Sequence, residues 1–462
     1  MNYSRCLNLL IAACLACGIT SAHAFHPFDE DNYLLDLVVA VEDAAFFVDI
    51  EIALGIFNID KNFNGISGGS SWQEGYAKYG IGGLLETKTG IYYAELNAVS
   101  SGTWGDGDPV GLTIGNERRT EFEDMYLGWC FDAYGFLGTT EDLLDIYFLD
   151  VAIGRRVITI GDGFIINDDG VNMGNGINPK LNRGGAYYLA ARHAFHKTAT
   201  LSFNLSENLH GDLIYFKSDN RAQAETGMYA ANVEYTYNDI GTLGFTWIHG
   251  KEVDREFAND FQMQRKGMNV YSLRGAGNAG IDNLFLSFEL AHQYRDQIVG
   301  GTYTGFEDNA TAGYAQIGWT FSDIEFTPEL TYRYSRYGET WDSLFTGLNR
   351  GFGTWFQGEV AANYAGPFNS NTHIHHFGVK MNPNDNVSLG LLYFDFSPVK
   401  RENPDLSGQE LDIYAEWIIN KNMMVIPILG VYRPDKDQSN GGMQQSSGTN
   451  LYSQLMMVFN FR

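Results

Sequence analysis

The chain has 462 residues, with 56 Asp and Glu against 30 Lys and Arg and a formal net charge of -26, a balance that disfavours nucleic acid and anionic lipid surfaces as partners. Beyond residue 24 no uncharged apolar run approaches the eighteen or so residues that a spanning helix needs, and the best stretch, 34–54, is broken by Asp36, Glu42, Asp43, Asp49 and Glu51. Spanning helices are thereby excluded; spanning strands are not, and Gly 53, Tyr 27, Phe 31 and Trp 8 describe many strands joined by turns.

Residues 1–24 read as a secretory signal: Arg5, an apolar stretch over 7–19, and the small-x-small site Ala22-His23-Ala24. A lipoprotein cut before Cys14 leaves too short an apolar stretch. Removal of the signal leaves Cys130 as the single cysteine, predicted as a small inward-facing strand residue. Residues 25–462 are then one domain. An acidic segment over 26–32 leads to the first spanning strand, 46–58, where Val48, Ile50, Ile52, Leu54 and Ile56 oppose Asp49 and Glu51.

Further alternating stretches follow at 77–85, 90–99, 122–132, 144–154, 185–192, 199–205, 209–217, 226–236, 242–249, 267–274, 283–293, 309–321, 324–334, 353–364, 373–381, 387–396, 409–418, 423–433 and 451–461. Their lengths cluster near the nine to eleven or so residues that cross a bilayer obliquely. Apolar faces begin or end in Tyr, Trp or Phe, as in Ile324, Phe326, Leu330, Tyr332 and Tyr334 against Glu325, Thr327, Glu329, Thr331 and Arg333. The prediction is an all-β transmembrane antiparallel barrel of about 18 strands.

Connections sort by length. Asn238 to Gly241, Ser322-Asp323, Asn382 to Asn386 and Asn420 to Asn422 are tight turns, whereas 250–266, 294–308, 397–408 and 434–450 are long. Counted from the C-terminus, however, the stretches put the long link 335–352 on the periplasmic side and Ser322-Asp323 outside, so parity fails near 335–371. The last stretch, 451–461, carries Leu455, Met457, Phe459 and Phe461 on one face and is the predicted closing strand. Phe459 and Phe461 are the candidate membrane-insertion signal, displaced by one from the end by Arg462.

The predicted inward face carries Glu234, Glu289, Glu325, Glu329, Glu359, Glu410, Asp412 and Glu416, with Arg333 and Lys380 as the basic company. It describes a cation-preferring lumen or one for neutral polar solutes. Tyr314 and Trp355 are predicted inward, suited to stacking on a sugar or to packing against a folded-in loop. Arg155 and Arg156 are candidate constriction residues, with wall-bracing ion pairs as the alternative, and 162–184 is a candidate lumenal loop.

Asp60, Asn62 and Asn64 have the opening spacing of a calcium loop, but Ser71 stands where a bidentate Glu is expected, so an ordinary external loop is the plainer reading. His373, His375 and His376 do not share a strand face, which makes them belt or loop-base histidines before metal ligands. No placed nucleophile marks an enzyme.

Several stretches resemble the alginate export family of outer-membrane barrels: Gly154-Arg155-Arg156 with Gly161-Asp162-Gly163, Pro328 to Tyr334, Trp341 to Phe345, Gly353 to Glu359 and Asn369 to Asn371. The resemblance implies an eighteen-stranded barrel with an arginine-rich conduit, and pore positions Arg155, Arg156, Arg333 and Glu359. The acidity and sparse inward bases of this chain differ from that conduit. The expectation is a passive outer-membrane channel for a hydrophilic solute such as a saccharide or polysaccharide. Alternatives are a general or cation-selective porin and a barrel serving adhesion or scaffolding. Expected partners are outer-membrane lipids and lipopolysaccharide, the barrel assembly machinery and periplasmic export components; no cofactor is expected beyond calcium in an external loop.

Overall fold

The computed structural model describes residues 39–41, 43–63, 65–131, 149–206, 208–296, 298–300, 305–347, 358–366, 368–401 and 404–461. The signal segment, Asn64, Trp355 and Arg462 lie outside them.

Strands β2 (Ala44–Ile59) to β19 (Asn450–Phe461) form a closed eighteen-strand antiparallel barrel; β1 (Val39–Val41) only doubles back on the start of β2. Consecutive strands pair throughout, and β19 closes on β2 from Tyr452↔Ile59 to Phe461↔Ile50. Closure leaves no open edge, so backbone groups are satisfied without water, the condition for crossing a bilayer with strands. The alternation read from 451–461 is kept: Tyr452 and Met456 are buried toward the interior while Leu451 and Leu455 face out.

The outward face is a belt of exposed apolar side chains, among them Leu127, Ile153, Leu243, Leu273, Leu290, Ile413 and Leu429. Exposure of that extent is incompatible with water and suits a bilayer core. At the end carrying the short turns the belt meets aromatics, such as Tyr92 stacked on Trp129 at 6.0 Å.

Two predicted strands, 185–192 and 353–364, are not found among the described residues; 353–357 of the second lie outside them. Residues 185–192 are turns inside a long loop, and 358–364 are a bend followed by a buried π-turn. Both stretches are rich in small and aromatic residues because they pack inside the barrel, which imitates a strand pattern. Strand β14 is Glu329–Tyr337, so 324–328 belongs to the turn before it and Glu325 is exposed there rather than inward. With 353–364 removed, parity is restored: the link 338–371 becomes one long loop on the same end as 60–69, 106–117, 157–194, 218–226, 253–268, 295–308, 399–407 and 435–449. Ser322-Asp323 therefore lies at the turn end, not outside.

Candidate functional site: the loop-filled lumen

Loops 157–194 and 338–371 fold inward and meet. Asn167 N donates to the Phe345 carbonyl (2.8 Å), Phe345 N to Ile165 (3.2 Å) and Gly347 N to Gly163 (2.9 Å), making a short parallel bridge between Ile166 and Phe345. Phe345 packs edge-on against Phe195 (5.0 Å) and Phe216 (5.6 Å), and Phe164 lies on Tyr337 (5.6 Å) and Tyr314 (5.4 Å). Tyr314 also donates to Asp162, so its ring serves the folded-in loop. The loop is drawn inward because it carries Ile158, Ile160, Phe164, Ile165 and Ile166, all buried, in a segment rich in Asp, Asn and Gly.

Gly154 sets the direction of the two arginines. Its φ of +137° and the 2.3 Å that would separate a Cβ from the Met125 carbonyl admit only glycine, and the register with β7 (Phe195–Ser206) slips between Gly154 and Arg156. Both arginines thereby face the interior but part company. Arg155 binds Asp219 at 2.6 Å, in a cluster where Arg183 (3.4 Å) and Arg192 (3.6 Å) reach the same carboxylate and Arg192 also reaches Glu123 (3.4 Å). Burial works against the charge on Asp219, yet Arg183, Arg155 and Arg192 hold it down at about 2. Its neighbour Asp169, wholly buried, is pushed up to about 7 despite Arg183 at 3.1 Å. Burial and the two nearby guanidinium groups lower Arg192 to about 10.

Arg156 instead faces a cavity of about 490 Å³ in the turn-end half of the lumen, beneath residues 157–162 and lined also by Arg274, Glu234, His210 and Asp212. Arg274 donates to Thr246 and Asn232, both at 2.6 Å, and to Glu234; His210 meets Asp212 at 3.0 Å. Arg156 sits over the Tyr126 ring at 5.1 Å, and among the described residues no carboxylate comes within ion-pairing distance. Among the described residues it is the arginine of the cavity lining that makes no ion pair.

Across the lumen the space is filled by protein. The Glu410 carboxylate accepts three successive loop amides, from Glu359 (2.5 Å), Val360 (2.6 Å) and Ala361 (2.7 Å), and so pins the loop to the wall. Glu359 accepts from the Tyr188 hydroxyl, and Glu74 accepts from the amides of Tyr188 (2.9 Å) and Leu189 (3.0 Å), tying the first loop to the second. Burial pushes Glu359 up to about 8, opposed by the Tyr188 bond and aided by Glu410.

Of the other predicted residues, Glu289, Glu329, Arg333, Lys380, Asp412 and Glu416 are on inward strand positions; Lys380 binds Glu416 at 2.8 Å and Glu289 accepts from Ser272 at 2.5 Å. Glu359 is a loop residue. Phe459 and Phe461 face outward, opposite Ile52 and Ile50. Asn62 accepts from Ser70 at 2.9 Å within its own loop, Asp60 is exposed, and no group of three His, Cys, Asp or Glu suited to a metal occurs among the described residues. His373 and His375 face outward against Tyr334 (2.6 Å) and Tyr332 (2.9 Å), while His376 faces inward on Phe394. Cys130 is buried inward beside Tyr93 and Ala152. Asp219, Arg183, Arg192 and Glu74 escaped the sequence reading: Asp219 and Arg183 lie on loops without periodicity, Arg192 ends the stretch 185–192 that imitates a strand, and Glu74 precedes the predicted start of its strand.

No family model matches the chain, and no curated protein sequence does. Solved structures match over almost its whole length: OccAB1 of Acinetobacter baumannii (TM-score 0.57, 11% identity, 93% of this chain and 100% of that one) and, from Pseudomonas aeruginosa, OccK8 (OprE; 0.56, 11%, 89% and 98%) and OccK11 (OpdR; 0.53, 12%, 90% and 96%). These likenesses establish the fold of a large outer-membrane barrel, and they correct the alginate export resemblance, since the barrels matched are Occ proteins. The geometry gives the reason. Arg155 is spent on Asp219, Arg333 is buried in the wall and Glu359 belongs to a loop core, so the four implied pore positions do not share one conduit.

Proposed function

We propose that the protein is a passive channel for small hydrophilic solutes, saccharides among them, crossing the outer membrane through the cavity side of the lumen. The observation that carries this reading is the asymmetry of the interior: two loops joined at Ile166 and Phe345 fill one side and leave a polar cavity of about 490 Å³ on the other. A lumen of this kind narrows a wide barrel to a path for single small molecules. Asp150, Asp162, Asp212 and Glu234 outweigh Arg156 and Arg274 around it, which supports a preference for cations.

Planar-bilayer recording tests this. Conductance in discrete steps, reduced by saccharides of graded size and with a modest cation-selective reversal potential, is expected. A folded, inserted barrel that passes no current and no sugar in vesicle swelling overturns the proposal.

A further inference from the structure

The overall charge of -26 hides a basic patch on the outward face. On β7 (Phe195–Ser206) and β8 (Leu209–Lys217), Lys197 and Lys217 are direct cross-strand partners at the loop end. Both face outward, because Thr198 and Phe216 beside them are buried toward the lumen. On β10 (Gly241–Glu252), Lys251 continues the outward row of Leu243, Phe245, Trp247 and His249, and its Nζ lies 4.6 Å from the Tyr215 ring and 5.4 Å from the Tyr229 ring. Among the described residues one carboxylate serves this group: Glu252, 3.5 Å from Lys217 and 4.0 Å from Lys251. Lys197 has no carboxylate within ion-pairing distance among the described residues.

Like charges set directly opposite across an antiparallel pair destabilise it unless an anion lies between them. Toward the turn end the same outward rows are apolar, with Leu213, Val233, Leu243 and Phe245 exposed. The patch thus stacks acyl-chain surface, then aromatic rings, then ammonium groups, in the order of a lipid's chains, sugar and phosphate. We propose that this face seats lipopolysaccharide, with a headgroup phosphate between Lys197 and Lys217, the saccharide on Tyr215 and Tyr229, and acyl chains along Leu213, Val233 and Phe245. This rests on the loop end facing the cell exterior, but not on the channel function.

The test is a titration of delipidated barrel in detergent with bisphosphorylated lipid A, followed by native mass spectrometry. Replacing Lys197→Gln, Lys217→Gln and Lys251→Gln together is expected to weaken binding at least about tenfold, since each lysine near an anionic headgroup contributes to binding. The corresponding three Lys→Arg changes are expected to retain binding, and phosphate-free lipid A to bind the native chain as poorly as the phosphorylated form binds the Gln variant. Heat-modifiable gel mobility reports that each barrel is folded; if the triple variant is not, the single Lys197→Gln change is expected to show about a threefold loss. Equal binding by native and folded Gln variants, equal binding of phosphate-free lipid A, or full displacement by inorganic phosphate overturns the proposal.

Discussion

The two sides of the lumen handle charge in opposite ways. Around the cavity every acid has a partner that solvates it: Asp212 has Ser202 at 2.6 Å and His210, Glu234 has Arg274, and the side remains polar and open. On the far side Glu359, Glu410 and Glu74 are buried among Trp72, Tyr188, Tyr364 and Tyr452, with backbone amides and hydroxyls in place of cations. Paired ions tolerate water and let a solute compete for them. Carboxyls held by amides in a protein-filled pocket do neither, and they act as fasteners for a loop.

The largest way to break this contrast is to unfasten the loops. Phe345→Ala removes the ring that Phe195 and Phe216 enclose, at a cost of about 3–5 kcal/mol to the loop contact. The barrel wall is expected to stay closed, because its ladders do not involve Phe345. Single-channel conductance should therefore rise severalfold while heat-modifiability is kept; unchanged conductance would mean that the two loops do not narrow the path.

A smaller effect is expected from pH. Glu359, raised by burial to about 8 from an ordinary 4.5, binds a proton in the folded loop that the released loop would give up between those values. The folded arrangement holds more protons there, so its stability falls as pH rises through that window and is fully present below it. Protection of the 359–361 amides, taken relative to the intrinsic base-catalysed exchange rate at each pH, should be lower at pH 9 than at pH 6, and Glu359→Gln should flatten that difference in protection. Pin removal by Glu410→Ala should speed exchange at both pH values.

How much of this was legible in the sequence follows from the same contrast. The wall was readable because a bilayer imposes period two on every strand: Leu455, Met457 and Phe459 announce their face without knowledge of any neighbour. The filled lumen was not. The segments 185–192 and 358–364 imitate a strand pattern because they pack inside a barrel, and local pattern cannot tell the lumenal loop from the wall. Glu359 was found as an inward acid yet assigned to the wrong element. The Arg155 cluster needed Asp219, whose place beside it is set by strand register and loop path. The apolar residues Phe164, Ile165 and Ile166 within a Gly and Asp stretch were the available sign that the loop turns inward.

The smallest expected effect concerns Arg156, which sharpens the comparison from the cavity side. Its guanidinium rests on Tyr126 at 5.1 Å and has no ion-paired carboxylate among the described residues, so its removal unpairs no buried acid by direct contact. Stability should change little. The cavity, however, loses a cation from among Asp150, Asp212 and Glu234, and the local potential becomes more negative. Arg156→Ala should accordingly shift the reversal potential toward cations by a few millivolts under a tenfold salt gradient, and the shift should shrink as salt screens the site over its Debye length of about 10 Å at 0.1 M. Arg155→Ala offers the matched control: it strips Asp219 of its shortest ion pair, so it should disturb loop 157–194 and lower folding stability far more than it changes selectivity. The reverse ranking, with Arg155 governing selectivity and Arg156 governing stability, would place the solute path along the arginine cluster instead of through the cavity.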